Sequence, residues 1–380
     1  MTRYVEYETS SGLPAYIRGD RLEELGRVDV VVFDCDGVLL DVRGSYSMAV
    51  AETTSTILEA MTSVRVPENL FDGRLNQAYK RTGGFNNDWT LSYALIMRTL
   101  AELPDETLEK LNEIAGEALN IDNPIERLKH LLYHGIEAHL PLESLYEKLT
   151  NFAGELDDSG WEKVDGLLLE KVGANVKRAL RYPGGVGESV ISTLLEELLC
   201  GVVLFEQAYG IEATFTSKGI GLIENETAII AEETIEELEN LLGGDRIGIA
   251  SGSISTTAMH ALKGCISRIS DDAQVWYETV EEAQNVEGVK DLHKPAPYSL
   301  LRASRPYEPY YHVLYVGDTM SDFMMARNSG EPSFLFAGVY RDVHCLEDVR
   351  EGFLSNGADV VAPSVNELPE VLKYSRGETN

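Results

Sequence analysis

Two aspartates one residue apart, Asp34 and Asp36, stand directly behind the apolar run of residues 28–33. A buried strand ends there, and along an extended segment both carboxyls would share one face. Two such anions repel unless a cation lies between them or one of them keeps a proton. Either case is useful chemistry. A metal ion can neutralise the pair, leaving one carboxylate as nucleophile and the other as proton shuttle.

Further reactive groups follow in order along the chain. Ser251 and Gly252 come after the short apolar run 247–250, and Lys294 precedes Pro295, a residue suited to starting a helix. Asp318 and Asp322 sit in the stretch G-D-T-M-S-D at 317–322, behind the apolar run 313–316. Three of the four groups lie at strand ends, the edge at which open parallel sheets bind ligands. Singly, each has a plain reading: loop carboxylates and Ser-Gly pairs form turns, and a lone lysine is solvated surface. Their order carries the information.

In that order the four segments resemble the four signature motifs of the haloacid dehalogenase superfamily, whose members are mostly magnesium-dependent phosphatases. The spacing is similar to that of members with a helical cap inserted after the first motif, the phosphoglycolate phosphatase and β-phosphoglucomutase types. The resemblance implies a Rossmann-like parallel α/β core with Asp34 as nucleophile and Asp36 as general acid and base. Ser251, the Gly252 amide and Lys294 would hold the phosphoryl group. Mg2+ would be bound by Asp34, the backbone carbonyl of Asp36 and Asp318, with Asp322 acting through water or as an orienting group. Dehalogenases proper lack the second aspartate, so Asp36 favours phosphoryl transfer. The expected function is hydrolysis of a small phosphorylated metabolite through an aspartyl-phosphate. Two alternatives stay open, a phosphomutase and a binding module that keeps the fold without catalysis.

The elements that must position these groups divide the chain. Residues 43–222 show helical periodicity almost throughout, with candidate helices at 47–61, 89–102, 106–119, 125–138, 142–152, 161–172 and 188–209. Asp88 and Asp105 are placed to cap two of them. This is read as an all-helical cap domain. Residues 1–42 and 223–380 form the α/β core, with strands expected at 29–33, 246–250, 266–269, 312–316, 333–336 and 358–361. Inside the insert, residues 80–89 combine two cations, a glycine pair, two amides and an indole. They read as a lid loop in which Arg81, Asn86 and Asn87 contact substrate; Arg43, just past the first motif, is a further contact. The glycine-rich stretch 182–188 lacks the lysine of a nucleotide-binding loop and reads as a connector. His130 and His134, four apart on a helix, lack the intervening glutamate and third ligand of a metal motif.

Composition narrows the partners. The formal charge of −31, from 63 acidic and 32 basic residues, argues against nucleic acid. The site itself must therefore be locally positive to hold a phosphate. No apolar run is long enough to span a bilayer, and residues 1–6 lack an apolar signal core. Cys35, Cys200, Cys265 and Cys345 form no C-x-x-C pair, consistent with reduced thiols and a cytoplasmic location.

Overall fold

Strands β3 (Val28–Phe33), β6 (Ile247–Ala250), β8 (His312–Gly317) and β9 (Phe334–Val339) are apolar almost without interruption. Alternation is absent because their side chains are buried on both faces, as in a parallel sheet covered by helices. The computed structural model describes residues 4–85, 87–134, 136–262, 264 and 266–378. It divides into two compact units, Met1–Arg43 with Glu226–Asn380, and Gly44–Asn225. Arg43 thus falls with the α/β unit rather than with the insert.

The remaining strands are β1 (Tyr4–Glu8), β2 (Pro14–Arg18), β4 (Leu40–Asp41), β5 (Thr227–Ala228), β7 (Gln274–Val275) and β10 (Val360–Ala362). Eight of the ten form one sheet in the order β1-β2-β10-β9-β8-β3-β6-β7, and β4 pairs with β5 in a separate ribbon. From β10 to β7 neighbours run parallel. The lead-in forms an antiparallel hairpin, β1–β2, whose second strand pairs antiparallel with β10. From β3 the chain moves outward to β6 and β7, then returns to lay β8, β9 and β10 on the other side of β3. That reversal opens a crevice at the carboxyl ends of β3 and β8.

The structure corrects several expectations. Residues 266–269, read as a strand, form a turn; the edge strand is the two-residue β7, followed by an unforeseen helix Tyr277–Glu287. The unit Gly44–Asn225 is helical among its described residues and includes two short helices that periodicity missed, Gly73–Lys80 and Ala174–Leu180. Asp88 and Asp105 are first helical residues rather than caps. Asn87 caps the helix Asp88–Leu100, its side chain accepting from the amides of Trp89 and Thr90. The helix Val190–Tyr209 is interrupted at Gly201 (φ 70°, ψ 170°), where a Cβ would stand 2.5 Å from the Gly221 nitrogen. Two backbones cross there, and only glycine allows it. Among the described residues no helix is long and apolar enough to cross a membrane.

Candidate active site

The register of the sheet gathers the motif residues. Phe33 pairs with Val316 of β8 and Ile249 of β6, so Asp34, Ser251 and Asp318 leave the sheet at the same edge. Ladder bonds continue one step past each strand: the Asp34 amide donates to the Val316 carbonyl and the Ser251 amide to the Val275 carbonyl, both at 2.9 Å. Behind Asp34 the chain winds around one oxygen, with the amides of Val38, Leu39 and Leu40 donating to the Cys35 carbonyl at 3.3, 2.7 and 3.0 Å. Lys294 arrives on the loop after Tyr277–Glu287. The next helix begins at Tyr298, behind Pro297, so Pro295 does not start it.

Gly37 is the tightest point of this arrangement. Its φ is +75°, and a Cβ there would overlap Asp318 Oδ2. The first loop therefore lays bare backbone against the Asp318 carboxylate. Gly37→Ala meets both a disfavoured dihedral and a side chain that must move. It is expected to cut divalent-ion affinity by at least about tenfold, measured by calorimetry, because displacing a ligand by an ångström outweighs the small backbone cost.

Lys294 bridges two carboxylates. Its Nζ lies 2.7 Å from Asp34 Oδ1 and 2.8 Å from Asp322 Oδ1, and its side chain is 8 % exposed. Burial opposes its charge, but Asp322 and Asp34 outweigh that and raise its pKa, so it is an ammonium. Burial pushes the Asp34 carboxyl up to about 7, with Lys294 pulling it down and Asp322 pushing it further up. Asp322 is buried too, yet the Lys294 ammonium and hydrogen bonds from Lys294, Thr319 and Tyr315 hold it below the usual range. Asp322 Oδ1 accepts from Lys294 and from the Tyr315 hydroxyl, both at 2.8 Å; Oδ2 accepts from the Thr319 amide at 3.0 Å and hydroxyl at 2.6 Å.

Asp34, Asp318 and Asp322 each offer an oxygen within 4.8 Å of the other two, and no other such group of three occurs among the described residues. With all three carboxyls ionised, one ammonium leaves two negative charges uncompensated, which a divalent cation would balance. The donors are hard oxygens, which suits Mg2+. Asp322 already accepts two hydrogen bonds on each oxygen, so it fits an orienting role, while Asp34 and Asp318 fit direct ligation. The Asp36 carboxyl is outside this group.

Ser251 is buried, its Oγ 2.8 Å from Ser253 Oγ and accepting from the Ser253 amide at 3.2 Å. Gly252 is exposed, and a Cβ there would meet nothing within 4 Å, so the position is open rather than sterically reserved for glycine.

The tentative substrate contacts fare differently. Arg43 forks onto Asp41, with Nε 2.8 Å from Oδ1 and Nη2 2.5 Å from Oδ2, and lies 3.5 Å from Asp342. Its charge is thus already shared between two acids. In the helical unit Arg81 and Asn87 are exposed, Asn87 with its oxygen committed to the helix cap, and Asn86 lies outside the described residues. In the same stretch, a Cβ on Gly84 would stand 2.5 Å from the Gly160 nitrogen, and Phe85 is buried edge-on to Tyr79 with centroids 5.7 Å apart. Gly84 thus serves close packing of two loops.

Sequence reading missed Tyr315 and Thr319. Tyr315 carried a usable signal: a hydroxyl inside a strand buried on both faces must find an acceptor. Thr319 lies within the fourth motif, three residues before the acid it supports, the spacing of a capping box.

No family model and no curated protein matches the chain. Solved structures do. One, described only as Northeast Structural Genomics Consortium target ZR25, is 18 % identical with a TM-score of 0.62, covering 93 % of this chain and all of that one. A hydrolase from Pseudomonas syringae is 14 % identical at a TM-score of 0.40, covering 91 % of this chain and 98 % of its own. A haloacid dehalogenase-like hydrolase from Bacteroides fragilis is 15 % identical at 0.38, covering 90 % and 99 %. At such identities likeness speaks for fold alone, and the last two superpose only in part. With its mostly parallel sheet, the switch point and the four groups gathered at one edge, this chain has a Rossmann-like α/β fold.

Proposed function

We propose that the chain is a hydrolase of the haloacid dehalogenase superfamily that releases phosphate from a small phosphorylated metabolite with the help of Mg2+. The observation that carries this reading is the Lys294 ammonium held between Asp34 and Asp322, with Asp318 beside them at the sheet's switch point. Asp34 attacks phosphorus in line, giving an aspartyl-phosphate and splitting one displacement into two. Asp36, half-buried on the following turn, donates a proton to the departing alkoxide and takes one from the hydrolytic water. Lys294 has three protons, two of which face carboxylates, leaving the third for a phosphoryl oxygen. The Ser251 hydroxyl and the Gly252 amide are donors on the neighbouring strand end. When bound by Asp34 and Asp318, Mg2+ supplies positive charge that offsets repulsion between the nucleophile and an anionic substrate. The helical unit is read, by the same resemblance, as the cap that selects the substrate.

The test is orthophosphate release from p-nitrophenyl phosphate and from a panel of phosphorylated metabolites, with Mg2+ and after chelation. Release that depends on the ion is expected. Inert protein under Mg2+, Mn2+ and Co2+ alike would overturn the proposal in favour of a binding module.

A further inference from the structure

Tyr315 has no part in the four motifs, yet it lies against Asp322, Lys294 and Ala250. It occupies β8 two residues before Gly317 and is fully buried. Its hydroxyl lies 2.8 Å from Asp322 Oδ1 and 3.3 Å from the carbonyl of Ala250, the residue that leads into Ser251. The Lys294 Nζ stands 5.7 Å from its ring centroid. Burial, followed by the Asp322 and Asp34 carboxylates, pushes the phenol's ionisation well above its usual value, so the hydroxyl keeps its proton. With Asp322 ionised, that proton goes to the nearer acceptor.

We propose that Tyr315 is a positioning residue, whose hydroxyl occupies Asp322 Oδ1 so that the Lys294 ammonium stays shared between Asp322 and Asp34. Two donors compete for one oxygen. Oδ2 of Asp322 is saturated by Thr319, and among the described residues Oδ1 accepts from Tyr315 and Lys294. Without the phenol, Oδ1 becomes a stronger acceptor for the ammonium alone. Lys294 is then drawn toward Asp322 and off Asp34 Oδ1, which shifts both the nucleophile's partner and the cation's third proton. The ring packs against Phe336, 6.2 Å away between centroids, so removing the oxygen alone leaves the apolar contacts in place. The inference deepens the phosphatase reading and rests on it.

The experiment compares Tyr315→Phe with the parent and with Val313→Ala, a lesion in the same strand and core that carries no polar group. With p-nitrophenyl phosphate and Mg2+, Tyr315→Phe is expected to lose about 10- to 100-fold in kcat while KM stays within about threefold. Val313→Ala should lose stability to denaturant while kcat stays within about threefold of the parent. A kcat for Tyr315→Phe within threefold of the parent, or an equal loss in Val313→Ala, would overturn the proposal. A crystal structure of Tyr315→Phe decides the matter independently of turnover. Expected is Nζ at hydrogen-bond distance from Asp322 and beyond about 3.5 Å from Asp34. Nζ retained on both carboxylates would contradict it. An inactive parent would count against the phosphatase reading alone, and these coordinates would still judge Tyr315.

Discussion

Asp34→Asn is expected to lower the rate of phosphate release by roughly 10^3- to 10^5-fold, since an amide cannot attack phosphorus and nucleophile deletions leave only the residual catalysis of binding. The same substitution should abolish a specific pH dependence. Burial holds the Asp34 carboxyl at about 7, above its ordinary value of 3.8. The folded protein without an ion therefore keeps a proton there that the unfolded chain has released, and its stability falls as pH rises through this interval, levelling off above about 7. A divalent ion must displace that proton. Stabilisation by Mg2+ in thermal unfolding should consequently grow between pH 5 and 7 and flatten above, in the parent. In Asp34→Asn that growth should disappear. A variant that keeps even a tenth of the parent's turnover would show that Asp34 is not the nucleophile.

Lys294→Met removes the cation held between Asp34 and Asp322 while keeping a similar side-chain volume. Breaking a buried pair strands the remaining charges, at a cost of about 3–5 kcal/mol in unfolding free energy. The pH dependence has a definite sign. Lys294 lowers the pKa of both carboxyls in the folded state, so its loss raises both, and the destabilisation should be largest above pH 7. Toward pH 5, protonation of Asp34 relieves part of it. Denaturant midpoints of parent and variant at pH 5 and pH 8 measure this directly. Turnover should also fall by about 10^2- to 10^3-fold, the usual loss when one preorganised charge stabilising a transition state is removed. Equal midpoints at pH 8 would mean the bridge contributes nothing to the fold.

Much of the core and its site was legible because the chemistry sits at the ends of short, wholly apolar strands. β3, β6 and β8 announce themselves by runs that no amphipathic helix would carry, and the polar groups behind them follow from the chain leaving the sheet. What stayed hidden depended on distant partners or on very short elements. The I-S-R-I stretch at 266–269 has the composition of a strand but is a turn, whereas β7 is only two residues long and has no period to read. Gly83 and Gly84 illustrate a different ambiguity. A glycine pair signals a hinge or a close approach, and the partner that Gly84 approaches, the loop at 157–160, lies some 75 positions away. Gly37 was visible as part of the first motif, but its contact with Asp318 spans most of the chain. Residues 4–7 alternate like a strand in the sequence; their purpose, an antiparallel extension beyond β10, requires knowing what lies at the sheet edge.

Under the proposed function a cation is gripped from two sides of the switch point, by the first loop and by the turn after β8. Crystals grown with Mn2+, an oxygen-seeking ion visible by its anomalous scattering, test that grip most directly. The predicted result is a single peak at about 2.1 Å from one carboxylate oxygen each of Asp34 and Asp318, with Lys294 Nζ still on the opposite oxygen of Asp34. A saturated crystal with ordered aspartates and no peak between them, or with the ion bound by neither, would contradict it.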